Sequence, residues 1–243
     1  MADTIQIISL APLLDSNPSY THSTASSLLS ALKSSGFLYL TDSPVPPELL
    51  TRVYEFSARF FSRPLAEKDS LAWTTPRANR GYSRQGHEKV SLGMSKDEVQ
   101  QDRGAAGGED QKESFEIGRE GEEGYPNRWP EDDKEFQDVM QDFFERCRQL
   151  HAVVMKGIAI GLGLGVEFFA DYVKQGDNTL RLLHYPGVPA DAFANGRVRA
   201  GLHSDYGSVT LLFQDSRGTS TSSESNQAPI HGRGSELDDT NVC

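Results

Sequence analysis

Cysteine is scarce in this chain: 243 residues contain two, Cys147 and Cys243. That count leaves no disulfide framework and no thiolate zinc site, and it suits a reducing compartment, so the cytoplasm is the expected location. Clusters of basic charge are missing as well. The 24 Lys and Arg are outnumbered by 35 Asp and Glu, for a net charge of -11. A surface of that sign repels a phosphate backbone, and nucleic acid is not an expected partner. Long apolar runs are also absent. The longest, Val153 to Val166, is interrupted by Lys156 and several glycines, and the N-terminus carries Asp3 and no basic stretch. Neither a membrane span nor a signal peptide is expected.

What the chain does contain is enough apolar sequence for one sizeable core, which predicts a single domain. Ile5 to Ile8 read as a short strand followed by a turn around Pro12. Ala25, Leu28, Leu29 and Leu32 recur at helical spacing, with Gly36 where a helix C-cap belongs. Phe37 to Leu40 form the next strand, and Leu49, Val53, Phe56 and Phe60 mark a second amphipathic helix whose aromatics are read as core.

From Trp73 to Trp129 the chain turns polar and irregular, the pattern of a loop facing solvent or a substrate. Two islands, Arg80-Gly81-Tyr82 and Lys112 to Gly118, read as strands entering a core. Pro130 opens a long helix whose stripe runs through Phe136, Met140, Phe143, Cys147, Leu150 and Val154, with Asp132 and Asp133 in its first turn. His151 beside this stripe is read as packed, not as a ligand. Gly161-Leu162-Gly163-Leu164-Gly165 is not a dinucleotide loop, because Val166 stands where the third glycine is needed and a helix precedes it. It reads as a helix end, followed by a last helix through Val166, Phe168, Phe169, Tyr172 and Val173 that stops near Gly176.

The chemistry concentrates between Leu180 and Asp215. Alternation puts Arg181, Leu183 and Tyr185 on one face of a strand and Leu182 and His184 on the other. After a loop, Val198 to Asp205 and Val209 to Phe213 read as further strands. In His203-Ser204-Asp205, the imidazole and carboxylate share a face while Ser204 points away, which rules out a serine nucleophile working with its neighbours. Such a pair suits iron(II), whose common protein site is two imidazoles and a carboxylate. It equally suits a hydrogen-bonded pair at a strand end, and the residues alone leave both open.

Several segments, in order, resemble the isopenicillin N synthase-like branch of the Fe(II)/2-oxoglutarate-dependent dioxygenases. They are the I-x-I-I-x-L start, Gly36 to Leu40 with Val45-Pro46, Phe60-Phe61 with Pro64 and Glu67-Lys68, Arg80-Gly81-Tyr82, Lys112 to Phe115, Asn127 to Pro130, Arg181 to Pro186 and Gly201 to Asp215. The resemblance implies an α+β fold: N-terminal helices, then a partial double-stranded β-helix (jelly roll), incomplete at its C-terminus. It divides the chain into a dioxygenase N-terminal region (1–130), the start of a catalytic domain (131–215) and an unrelated tail (216–243). It implies His203 and Asp205 as metal ligands for Fe(II). Tyr185 would help hold the carboxylate of the co-substrate 2-oxoglutarate, although Leu183 stands where many members have asparagine. The implied reaction decarboxylates 2-oxoglutarate with O₂ to succinate and CO₂ while a small organic molecule is oxidised; a branch that uses iron and O₂ without 2-oxoglutarate also exists.

The resemblance stops at Asp215. The family's distal His-Arg segment and R-x-S pair have no counterpart after it, and 216–243 has the Ser-, Thr-, Gly- and Asn-rich composition of a disordered tail. His231 and Arg233-Gly234-Ser235 are read as coincidence, because His231 follows Asp205 too closely for the intervening strands. The expectation is a truncated chain with impaired turnover, its tail the product of a retained intron, a frameshift or a mispredicted exon. The alternatives are a catalytically inactive form that binds a partner through an exposed sheet edge, and a structural module in which H-x-D is accidental.

Overall fold

A pair of parallel strands and a three-stranded antiparallel sheet hold the strand structure of the computed structural model, which describes residues 5–15, 18–74, 79–85, 112–187 and 207–215. The described residues fall into two units. One takes its members from Met1–Tyr54, Glu145–Gln175 and Val209–Cys243, the other from Glu55–Phe144 and Gly176–Ser208.

In the first unit, β1 (Gln6–Ser9) pairs in parallel with β2 (Leu38–Thr41), Gln6 opposite Leu38 and Ser9 opposite Thr41. Parallel neighbours need a crossover, and α1 (Ala11–Leu14) and α2 (Pro18–Ser34) supply it. The turn expected at Pro12 is a single helical turn; proline fits there because the first N–H groups of a helix have no intrahelical acceptor. Gly36 takes φ +76 after α2, as a C-cap position requires. Ala25, Leu28 and Ala31 of α2 are fully buried, as are Leu10 and Leu150. Two glycines let helices approach here. A Cβ at Gly157 would lie 2.9 Å from Leu13 Cδ1, and one at Gly161 would lie 2.6 Å from the Ala25 carbonyl oxygen.

Two long helices, α3 (Pro47–Phe61) and α5 (Lys134–Gly161), contribute residues to both units. Pro130 does not open α5. The helix begins at Lys134, because the Asp133 carboxylate accepts from the Phe136 N–H at 3.0 Å and so acts as the cap. Among the described residues past α5, only Ala170–Val173 (α6) is helical, and Val166, Phe168 and Tyr172 are exposed. The expected last helix is thus one turn: its apolar residues have helical spacing, but with Val166, Phe168 and Tyr172 left exposed there is no buried stripe to hold a longer one.

The second unit is built on β3 (Gly81–Ser83), β4 (Glu113–Ile117) and β5 (Leu180–His184), in that spatial order. Short helix α4 (Leu65–Ser70) precedes β3, and β3 is held on its other side by Tyr82 N–H donating to Leu71 O at 2.9 Å. Phe60 lies 4.5 Å from Phe115 and 5.2 Å from Phe136, and Trp129 lies 6.1 Å from Phe136, ring centre to ring centre. This aromatic cluster is the core expected from the sequence.

The motif residues around it have visible work. Asn127 uses its side-chain amide to pair both backbone groups of Gly118, at 2.8 Å each, as a neighbouring strand would. The Arg80 guanidinium lies over Gly118, where a Cβ would collide with it, and donates to Glu122 at 2.6 Å. Val209 to Phe213, expected as a strand, takes no regular structure. β-branched residues suit a pleated surface, but a strand exists only when a neighbour completes its ladder.

Candidate active site

Register fixes what each face of the three-stranded sheet carries. Tyr82, Phe115 and Leu182 form one row across β3, β4 and β5, and Ser83, Ser114 and Leu183 form the next. Because side chains alternate, these rows lie on opposite faces. The Tyr82 row joins the aromatic core. The Ser83 row shares its face with Gly81, Glu116 and Arg181, and the same alternation carried past β5 reaches Tyr185.

The core-side face holds a buried polar network centred on Glu113. Its Oε2 accepts from the Lys68 ammonium at 2.8 Å and from the Tyr82 hydroxyl at 2.5 Å, while Oε1 lies 2.8 Å from His184 Nδ1. Lys68 also donates to the Phe61 carbonyl at 2.9 Å, and the His184 ring stacks on Phe61 at 5.2 Å. Burial pushes the Glu113 carboxyl up, but the bonds from Lys68, Tyr82 and His184 together outweigh it and hold the group below the usual carboxylate range. Burial first, then the bond to Glu113, pushes the Tyr82 phenol well above its ordinary value. The tyrosine therefore stays a donor. Four elements, α4, β3, β4 and β5, are tied to one carboxylate.

On the opposite face, Arg181 Nη2 meets Glu116 Oε1 at 2.5 Å, and Glu116 is 0% exposed. Tyr185, expected from the resemblance as a co-substrate residue, follows β5 directly and is 36% exposed. Leu183 on the same face is also exposed. His203, Asp205, the strand expected over 198–205, His231 and Arg233 lie outside the described residues. Among the described residues, no three His, Cys, Asp or Glu side chains come together as a metal site. His151 is half-buried and its pKa is lowered by that burial, as suits the packed role expected for it. The Glu113 network was not anticipated. The resemblance ran through Glu67-Lys68 and Lys112-Glu113, but nothing in the linear pattern says that Lys68 reaches across 45 residues to Glu113.

Comparison with known proteins adds three kinds of likeness. A family described as non-haem dioxygenase in morphine synthesis, N-terminal, matches residues 5–132. A 2-oxoglutarate-Fe(II) type oxidoreductase of Metarhizium rileyi is 38% identical over 218 residues, covering 88% of this chain and 61% of the relative. A proline hydroxylase of Petromyces alliaceus is 36% identical, covering 79% of this chain and 58% of the relative. Among solved structures, a full-length protein of Neurospora crassa in complex with alpha-KG and thymine is 45% identical with a TM-score of 0.76, over 88% of this chain and 65% of that one. The chain spans about three-fifths of the length of these relatives.

Proposed function

Because the chain belongs to the Fe(II)/2-oxoglutarate-dependent dioxygenase family, we propose that it is an oxidoreductase that oxidises a small organic molecule with O₂ while decarboxylating 2-oxoglutarate. The observation that supports this reading is that Tyr185, directly after β5, is 36% exposed. Carried one residue past β5, the alternation of the strand gives Tyr185 the face of Leu183, away from the aromatic core, and from there its phenol would donate to a carboxylate of the co-substrate. The proposed ligands are His203 and Asp205, whose imidazole and carboxylate match the donor set of a non-haem Fe(II) site. When bound, that metal supplies the activation of O₂. The protein's own contribution on this face is to bind and orient: Tyr185 toward the co-substrate, with β5 anchored through Glu113 and His184 on the face behind it.

In this reading the jelly roll of the family is the fold that the three-stranded sheet belongs to, with 1–130 as the N-terminal region and 131–215 as the start of the catalytic one. For the organic substrate, one relative is named a proline hydroxylase and another is solved with thymine. Both names concern small nitrogen-containing rings, and we place the substrate in that class. Calorimetric titration of 2-oxoglutarate into the purified protein tests the role of Tyr185. Tyr185→Phe is expected to bind about tenfold more weakly, the loss of one charge-assisted hydrogen bond. Equal binding by wild type and variant contradicts the assignment.

A further inference from the structure

Two hydroxyls on the Tyr185 face are unaccounted for by the fold. Ser83 and Ser114 sit directly opposite each other across β3 and β4, and they are 3% and 2% exposed. Neither Oγ has a hydrogen-bond partner among the described residues. A buried hydroxyl without a partner has given up water for nothing, and natural cores rarely contain such groups without a reason. Two of them side by side, on one face of one sheet, point to a partner that the chain does not itself supply.

Their surroundings say what that partner is. Leu183 completes the same row on β5 and has no polar atom to offer. Two residues along the strands stands the Arg181–Glu116 pair, and two residues the other way stands Tyr185. Same-face neighbours at this diagonal are roughly 7–8 Å apart. A small molecule lying over the Ser83–Ser114 row would therefore adjoin one held by Tyr185. Hydroxyls donate and accept alike, so a pair of them suits a ligand that presents an N–H and a carbonyl or carboxylate oxygen close together.

We propose that Ser83 and Ser114 form the polar floor of the organic-substrate site, recognising a small ring compound whose N–H lies beside a carbonyl or carboxylate oxygen. This rests on the reading of Tyr185 as the co-substrate residue and deepens it by naming the side chains that select the substrate.

The test uses the purified protein, wild type and S83A/S114A. Thermal melting and calorimetric titration are run with 2-oxoglutarate alone, then with thymine and with L-proline added to the 2-oxoglutarate-loaded protein. The expected result has three parts. The double variant melts no lower than wild type, because no intramolecular bond is lost. It binds 2-oxoglutarate as wild type does. At least one of the two ring compounds binds wild type and is weakened at least about tenfold in the variant, the effect of two hydrogen bonds. Equal binding of the ring compounds by both proteins overturns the proposal and leaves the hydroxyls to water. So does binding of neither ring compound by the loaded wild type, a clearly lower melting temperature in the variant, or a parallel loss of 2-oxoglutarate binding. Failure of wild type to bind 2-oxoglutarate at all is a different outcome, which removes the underlying reading of Tyr185 as well.

Discussion

Glu113 accepts hydrogen bonds from an ammonium, a phenol and an imidazole, all from other elements. Removing one donor leaves the carboxylate buried and short of charge. Lys68→Met is expected to lower the unfolding free energy by about 3–5 kcal/mol in urea denaturation, the cost of breaking a buried ion pair by deleting one side. Acid acts on the same group. Its folded pKa lies below the ordinary value near 4.5, so its contribution is complete above that pH and is lost as pH falls through the lower folded value. Asp133, also depressed because its bonds to Arg59, Phe136 N–H and Arg63 outweigh burial, adds to the same trend from 3.8 downward. Melting temperature should therefore fall below about pH 4.5, and Glu113→Gln should flatten that acid limb; a wild-type protein that gains stability there would contradict the assignment. By contrast, burial pushes the Cys147 thiol up to about 12, so at neutral pH it is almost wholly unionised and a poor nucleophile.

At the level of elements, the contact between α2 and α5 depends on what Gly161 lacks. Gly161→Ala places a methyl 2.6 Å from the Ala25 carbonyl oxygen and is expected to cost about 1–3 kcal/mol. Gly165→Ala meets nothing within 4 Å and should leave the melting temperature unchanged or slightly raised. The start of α5 is a second such point. Asp133→Ala removes the cap of Phe136 together with the ion pair to Arg59, and a loss of about 1–2 kcal/mol is expected from the cap alone. These elements also show how far the sequence could be read. Helical spacing at Ala25, Leu28, Leu49, Val53, Phe56 and Phe60 found α2 and α3, and each of those residues is buried. The islands at 80–82 and 112–118 became β3 and β4. α4 escaped notice because six residues are too few to show a period; Pro64 and the buried Lys68 define it. The Val209–Phe213 run misled for the opposite reason, since composition was right and the ladder that makes a strand is a property of neighbours.

For the molecule as a whole, family membership was legible because its motifs are spread along the chain and each does separate work. Asn127 closes the end of β4 at Gly118, Arg80 covers that glycine, and Trp129 and Phe60 meet in the aromatic core. The site was legible in part. Alternation along β5 put Leu183 on one face and Leu182 and His184 on the other, as the register has them, whereas the network on one face and the paired hydroxyls on the other require register across three strands. No described helix is long and apolar enough to cross a membrane. Everything proposed for the chemistry comes down to iron held by His203 and Asp205 and used to decarboxylate 2-oxoglutarate. Succinate formation from 2-oxoglutarate by the purified protein, with and without added Fe(II), tests it most directly. Iron-dependent succinate formation that His203→Ala abolishes is the expected result; succinate formed equally without iron, or undiminished in His203→Ala, would contradict it.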